Sequence, residues 1–189
     1  MKIGLYFGSF NPVHVGHCII ASHIVQNTDL ESVWFIVSPQ NPFKQASSLL
    51  NEYHRLHLVQ LAIGDETNLK ASDIEFHLPR PSYTIDTLTY LEEKYPSHSF
   101  SIIMGSDGLQ NLPKWKNAAA LTRDYTFYIY PRPGHAVVNP LQAKLAVVEA
   151  PLLDISSTHI RETIKKGKSI RFLVPDKVRE EMELYHYYS

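Results

Sequence analysis

Residues 8–17 read Gly8-Ser9-Phe10-Asn11-Pro12-Val13-His14-Val15-Gly16-His17, which places two imidazoles in a turn that contains no acid. His14 and His17 are three apart, so a helix starting here carries both on one face of its first turn. A helix start presents unpaired N–H groups and a partial positive charge, and it attracts anions. Each imidazole can add a hydrogen bond to a phosphate oxygen, and Gly16 leaves the backbone bare for a bulky group to approach. This is chemistry for holding phosphate rather than for hydrolysing an ester. A zinc pair is the competing reading, but no Glu lies between the histidines and Cys18 falls elsewhere on the helix. The segment lacks the Gly-Lys-Ser/Thr ending of a Walker loop and the three spaced glycines of the dinucleotide fingerprint.

A second segment, Ile155-Ser156-Ser157-Thr158-His159-Ile160-Arg161, has the same anion-binding character. Ser or Thr at a helix start caps it and can also bond phosphate. Arg161, four residues after Ser157, can aim a guanidinium at the same anion. The plainer reading is a capped helix with a solvent-facing arginine. His54 and His57 also lie three apart on a helical pattern, but no carboxylate-rich third partner accompanies them, and His159 adjoins Arg161.

These groups need elements to position them. Ile3 to Phe7 reads as a first buried strand, broken by Gly8-Ser9, and Ile19, Ile20, His23, Ile24 and Asn27 then fit one helix face. Val33–Val37 is a near-continuous apolar run, as in a buried parallel strand. Residues 51–64 and Thr84–Lys94 have helical spacing, and Ala71–Phe76 is a weaker strand between them. Phe100–Met104, Tyr125–Tyr130 and Leu145–Val148 are strand-like; Ser157–Lys166 and Pro175–Leu184 are helical. The terminal His186-Tyr187-Tyr188 reads as packing or a frayed end. The alternation predicts an α/β chain, 1–189 as one domain, with a Rossmann-like doubly wound parallel sheet and helices on both faces. Ligands in such sheets bind at the carboxyl ends of strands, which singles out loops 8–14, 38–45, 105–115 and 131–134.

Composition excludes several classes. The length of 189 residues suits a single domain with a substantial core, and 44% hydrophobic with 20% charged residues is ordinary globular usage. A net charge of −1 gives no electrostatic case for nucleic acid. No apolar run approaches membrane-spanning length, the apolar stretch near the start is too short for a signal peptide, and the one cysteine, Cys18, allows no internal disulfide. The expectation is a cytoplasmic protein without membrane or nucleic-acid partners.

The decapeptide resembles the signature of the nucleotidyltransferase superfamily that carries a His-x-Gly-His motif, and residues 155–161 resemble its second signature. Three further segments narrow the likeness: Pro81-Ser82-Tyr83-Thr84-Ile85-Asp86-Thr87-Leu88, Gly105-Ser106-Asp107 with Leu112-Pro113-Lys114-Trp115, and Pro131-Arg132-Pro133-Gly134. In this order they resemble the bacterial nicotinate-nucleotide adenylyltransferases, a likeness running through Phe172-Leu173-Val174-Pro175 and covering nearly the whole chain.

The resemblance implies adenylyl transfer from ATP to nicotinate mononucleotide, giving deamido-NAD and pyrophosphate in NAD biosynthesis. It implies His14, His17 and Arg161 as catalytic residues. Gly8, Ser9, Phe10, Gly16, Gly105, Asp107, Ser156, Ser157 and Thr158 would bind ATP; Asn11, Lys44, Tyr83, Thr84, Trp115 and Arg132 would bind the mononucleotide. Trp115, in a polar loop beside Pro113, Lys114 and Lys116, can stack on a pyridine ring, with a core aromatic as the alternative. Tyr83 and Thr84 open a helix whose N–H groups suit a carboxylate, whereas a carboxamide needs an acceptor too. Lys44 is either a phosphate ligand or a solvated loop residue. Asp107 can bond ribose hydroxyls or the shell of an Mg²⁺ ion, or cap a helix. The Mg²⁺ itself would ride on phosphate oxygens and water, with no protein ligand set. Asn11 stands where most bacterial members have Asp; the Asn form is more familiar in nicotinamide-accepting relatives. Open alternatives are another phosphate acceptor, a non-catalytic nucleotide-binding module, and assembly into a homo-oligomer.

Overall fold

The computed structural model describes residues 1–40, 49–151 and 153–189. Among them, six strands form one parallel sheet in the order β3-β2-β1-β4-β5-β6. The strands are β1 (Lys2–Gly8), β2 (Ser32–Val37), β3 (Leu69–Ser72), β4 (Ser99–Gly105), β5 (Thr126–Tyr130) and β6 (Lys144–Val147). The helices are α1 (Val15–Asn27), α2 (Glu52–Ile63), α3 (Thr84–Lys94), α4 (Ser106–Leu109), α5 (Ala118–Asp124), α6 (Ser157–Lys165) and α7 (Asp176–Leu184). Beyond β1 the strand order proceeds in one direction through β2 and in the other through β4. The crevice at the carboxyl end of β1 is therefore the topological switch point, where α/β sheets place their ligands. This is the doubly wound α/β sheet that the alternation of elements predicts.

The strands are apolar on both faces because both faces are covered. In β2, Val33, Phe35 and Val37 join one core with Tyr6 and residues from α1, α2, α6 and α7. Trp34 and Ile36 join the opposite core with Ile3, Leu5 and residues from α3 and α5. Phe35 and Phe127 are about 1% exposed or less, and truncating either to Ala would cost ~3–5 kcal/mol. Helix ends follow their sequence signals. Asn51 caps α2 by accepting from the Tyr53 N–H, and Gly64, at φ 61°, ends it. Ser156 caps α6 by accepting from the His159 N–H.

Two assignments differ from the sequence-based expectation. The Ala71–Phe76 strand is displaced: β3 spans Leu69–Ser72, and Ile74–His77 is a 3₁₀ turn. The cause lies in Glu75, whose buried carboxylate accepts hydroxyl bonds from Ser82 and Thr87 and so pulls the chain out of the strand. The 105–124 stretch, expected to be a loop to 115, folds into α4, a 3₁₀ turn at Leu112–Lys114, and α5.

Candidate active site

A cleft of about 520 Å³ opens at the carboxyl ends of β1, β4 and β5. Its floor is the first turn, from Gly8 to His17. His14 is the N-cap of α1 and His17 its third residue, and their rings stack at 3.7 Å between centroids and 25° between planes. The His17 Nδ1 accepts the His14 backbone N–H at 3.2 Å. That bond sets the tautomer: a neutral His17 carries its proton on Nε2. Phe10 and Tyr6 hold the His17 ring edge-on, at 5.1 Å and 5.9 Å. His14 is 5% exposed, and its Nδ1 has no partner among the described residues. Burial, with the Arg132 guanidinium adding to it, pushes its pKa down to about 4, so the ring is neutral at pH 7. Gly16 is required for a reason internal to the turn. A Cβ there would come within 3.0 Å of the His14 Nδ1, so the bare backbone makes room for the imidazole rather than for a ligand.

Helix α6 is fastened to this turn. The Ser157 hydroxyl donates to the Pro12 carbonyl at 2.8 Å. Arg161 donates from one Nη to the Asn11 carbonyl at 2.7 Å and from the other to the Thr158 hydroxyl at 3.2 Å. Ser156, Ser157, Thr158 and Arg161 thereby line the same cleft as the two histidines, despite more than a hundred intervening residues. Asn11 also lines the cleft, and its Oδ1 accepts from the Leu50 N–H at 3.1 Å and from the Tyr188 hydroxyl at 2.7 Å.

The opposite wall comes from β4, β5 and α3. Gly105 is the N-cap of α4, and Asp107 is the second residue of that helix rather than its cap. A Cβ on Gly105 would sit 2.5 Å from an Asp107 carboxylate oxygen and 3.0 Å from the Arg132 Cγ, so this corner excludes any side chain. The Ser106 hydroxyl donates to the His135 carbonyl and accepts the Arg132 N–H, which ties the β5 loop to α4. Tyr83 is the N-cap of α3 and Thr84 its first residue, so the helix start faces the cleft as its sequence suggests. Trp115 is half-buried, lining the cleft on one side and packing on the core on the other, which joins both readings of this residue. Lys116 next to it bonds both Asp86 carboxylate oxygens, at 3.0 and 2.8 Å, and lies 4.9 Å over the Tyr83 ring. That contact sets the Trp115 loop against the start of α3.

Of the residues singled out in the sequence, all but Gly16 and Lys44 line this one cleft. Lys44, with Asn41-Pro42-Phe43, lies outside the described residues. Glu75 lines the cleft, and burial raises its pKa, against which the hydroxyls of Ser82, Ser38 and Thr87 act. Cys18 is a weak nucleophile, its thiol pushed up to about 11 by burial. His54 bonds the Tyr187 hydroxyl at 2.9 Å and His57 lies 3.2 Å from Glu181, so they join α2 to the segment after α7 and to α7 itself. Among the described residues no three His, Cys, Asp or Glu side chains gather into a metal site. No helix among them is long and apolar enough to cross a membrane. Sequence reasoning passed over Arg55, placed Glu75 in a weak strand and read Tyr188 only as packing or a frayed end, because each gains its partners only through tertiary contacts.

Residues 5–163 match the cytidylyltransferase-like family. A protein of Flavobacterium psychrophilum named "probable nicotinate-nucleotide adenylyltransferase" is 49% identical over the full length of both chains. One of Cytophaga hutchinsonii with the same name is 51% identical, covering all of this chain and 99% of that protein. The fold is shared with the nicotinic acid mononucleotide adenylyltransferase of Plasmodium falciparum, solved in complex with NaAD, at a TM-score of 0.82 and 20% identity, over 99% of this chain and 97% of that one. On the family match and these full-length identities, the chain belongs to the cytidylyltransferase-like family, among the nicotinate-nucleotide adenylyltransferases.

Proposed function

We propose that residues 1–189 act as one nucleotidyltransferase domain that transfers the adenylyl group of ATP to nicotinate mononucleotide. The phosphate oxygen of the mononucleotide attacks the α-phosphorus in line. A new P–O bond forms, the bond to the β-phosphate oxygen breaks, and pyrophosphate leaves with its electron pair. The products are deamido-NAD and pyrophosphate. The nucleophile is an anion near neutral pH and the leaving group is stable, so positioning and charge stabilisation suffice and no general base is needed. The observation that carries this reading is the convergence of the stacked His14–His17 pair with Arg161 on one cleft whose far wall holds Trp115 and the start of α3.

The roles follow from the chemistry of each side chain. The Nε2–H of His17 and the Arg161 guanidinium donate to the ATP phosphates as charge develops. Arg161 exchanges the Asn11 carbonyl for phosphate oxygen, a stronger, charge-assisted partner. Asp107 flanks the adenosine end, and Arg132 serves the mononucleotide. Trp115 stacks on the pyridine ring, and the N–H of Thr84, at the start of α3, receives its carboxylate. The Asn11 Oδ1 accepts from the Leu50 N–H and the Tyr188 hydroxyl, so a carboxamide finds both lone pairs of that oxygen engaged. Mg²⁺ bound with the nucleotide would supply neutralisation of phosphate charge, and Asp107 would hold it through one of its outer waters.

The test is pyrophosphate release from ATP with nicotinate mononucleotide, its amide and phosphopantetheine in parallel. Turnover with the acid well above the amide is expected. Release with the amide alone moves the reading to a nicotinamide acceptor. Release with none of the three leaves a nucleotide-binding module.

A further inference from the structure

Arg55 lies on α2, is 0% exposed, and has no carboxylate within ion-pair distance among the described residues. Its guanidinium donates instead to four backbone carbonyls: Nε to Leu50 at 2.7 Å, one Nη to Ser9 at 2.6 Å and Ser38 at 2.8 Å, the other to Pro39 at 3.1 Å. Three of these carbonyls belong to the loops that leave β1 and β2 at the rim of the cleft. A trans peptide is planar, with its N–H opposed to its C=O. Fixing the Ser9 and Pro39 carbonyls on the guanidinium therefore turns the N–H groups of Phe10 and Gln40 away from it. Phe10 and Gln40 both line the cleft, and among the described residues neither N–H donates to a protein acceptor.

We infer that Arg55 is a positioning residue for substrate phosphate: it holds the Ser9–Phe10 and Pro39–Gln40 peptides so that their N–H groups receive a phosphate oxygen. The guanidinium makes no direct ion pair among the described residues, so its hydrogen bonds go to backbone carbonyls, which strengthens the effect. The Ser9 and Pro39 carbonyls it polarises belong to peptides whose dipoles turn their positive N–H ends toward the incoming anion. Arg is suited to the task where Lys is not. Its planar fork reaches four acceptors in fixed directions, and it keeps its charge although burial lowers its pKa. Without Arg55, three buried carbonyls and one half-buried one lose this donor and both loops are released together.

The identity of the anion rests on the adenylyl-transfer reading; the geometry of the two peptides does not. The experiment uses the full chain and the variants Arg55→Lys, Arg55→Met and Gln40→Pro. Binding of nicotinate mononucleotide, ATP and inorganic phosphate is measured by calorimetry well below each melting temperature, alongside KM and kcat. Arg55→Met is expected to weaken binding of a phosphate substrate tenfold or more, with partial rescue by Arg55→Lys. Gln40→Pro removes one N–H and leaves Arg55 in place, and it should weaken the same ligand several-fold by raising KM more than it lowers kcat. The ligand most affected, mononucleotide or ATP, identifies which phosphate the two peptides hold. Folded Arg55 variants with wild-type affinities overturn the inference, as does Gln40→Pro with unchanged affinities; if Arg55→Met does not fold, Gln40→Pro decides. A wild-type protein that binds these ligands without turnover would sink the adenylyl-transfer reading and leave this one standing.

Discussion

The Tyr188 hydroxyl donates to the Asn11 Oδ1 at 2.7 Å, a bond that spans 177 residues of sequence. It places the segment after α7 directly behind the turn that carries both histidines. Burial raises the Tyr188 phenol above its usual range, so it is a donor at neutral pH. Tyr188→Phe deletes one hydrogen bond and little else. Unfolding in urea should show a loss of about 1 kcal/mol, the usual net worth of such a bond. KM for the mononucleotide should rise several-fold as Asn11 loosens. Full stability with unchanged KM would show that the bond contributes nothing.

Removing a donor aimed at the reacting phosphates should act on turnover. His17→Ala and Arg161→Ala are each expected to lower kcat by roughly 10²–10³, the scale for one preorganised donor. Steady-state kinetics at saturating ATP read this directly. A variant with wild-type kcat would remove its residue from the transition-state contacts.

His14 makes stability depend on pH in a specific direction. Its folded pKa is about 4 and an unfolded histidine titrates near 6.5. Between these values the unfolded chain binds the extra proton, so stability is full above about pH 6.5 and falls as pH drops toward 4. The total is on the order of 3 kcal/mol. Urea midpoints of wild type and His14→Gln, measured from pH 7.5 to 4.5, should diverge, with the variant flatter. Parallel curves would place the titration elsewhere.

Trp115→Ala should raise KM for nicotinate mononucleotide by tenfold or more, since stacking on a base-like ring is worth about 1–3 kcal/mol. KM for ATP should stay within twofold. If ATP affinity falls instead, the indole serves the adenosine end.

The order of strands and helices could be read from the chain because apolar runs and helical spacing are local properties. So could the His14–His17 turn, the Ser156 cap and the helix start at Thr84. Glu75 shows where such reading stops. In sequence it belongs to a weak strand, and only burial against Ser82 and Thr87 makes it the end of one. Arg55 looks like a surface arginine in a polar helix until α2 docks on the loops after β1 and β2. Tyr188, close to the last residue of the sequence, gave no sign that its hydroxyl reaches Asn11. Asp107 had a capping reading that the chain could not decide; the structure gives that place to Gly105. Each of these depends on a partner far away in sequence, and no local pattern encodes such a partner.

The central position of β1 bears on how the molecule is made. Ile3 pairs with Ser32 on one side and with Phe100 on the other. As the chain is synthesised, β1, β2 and β3 can zip together early, while the second edge of β1 stays bare until Ser99–Gly105 emerges and docks. For that interval the growing chain carries an open, apolar strand edge, the kind of surface on which nascent chains adhere to one another. Chaperone dependence and stalled-chain aggregation should therefore concentrate on fragments that stop short of residue 99.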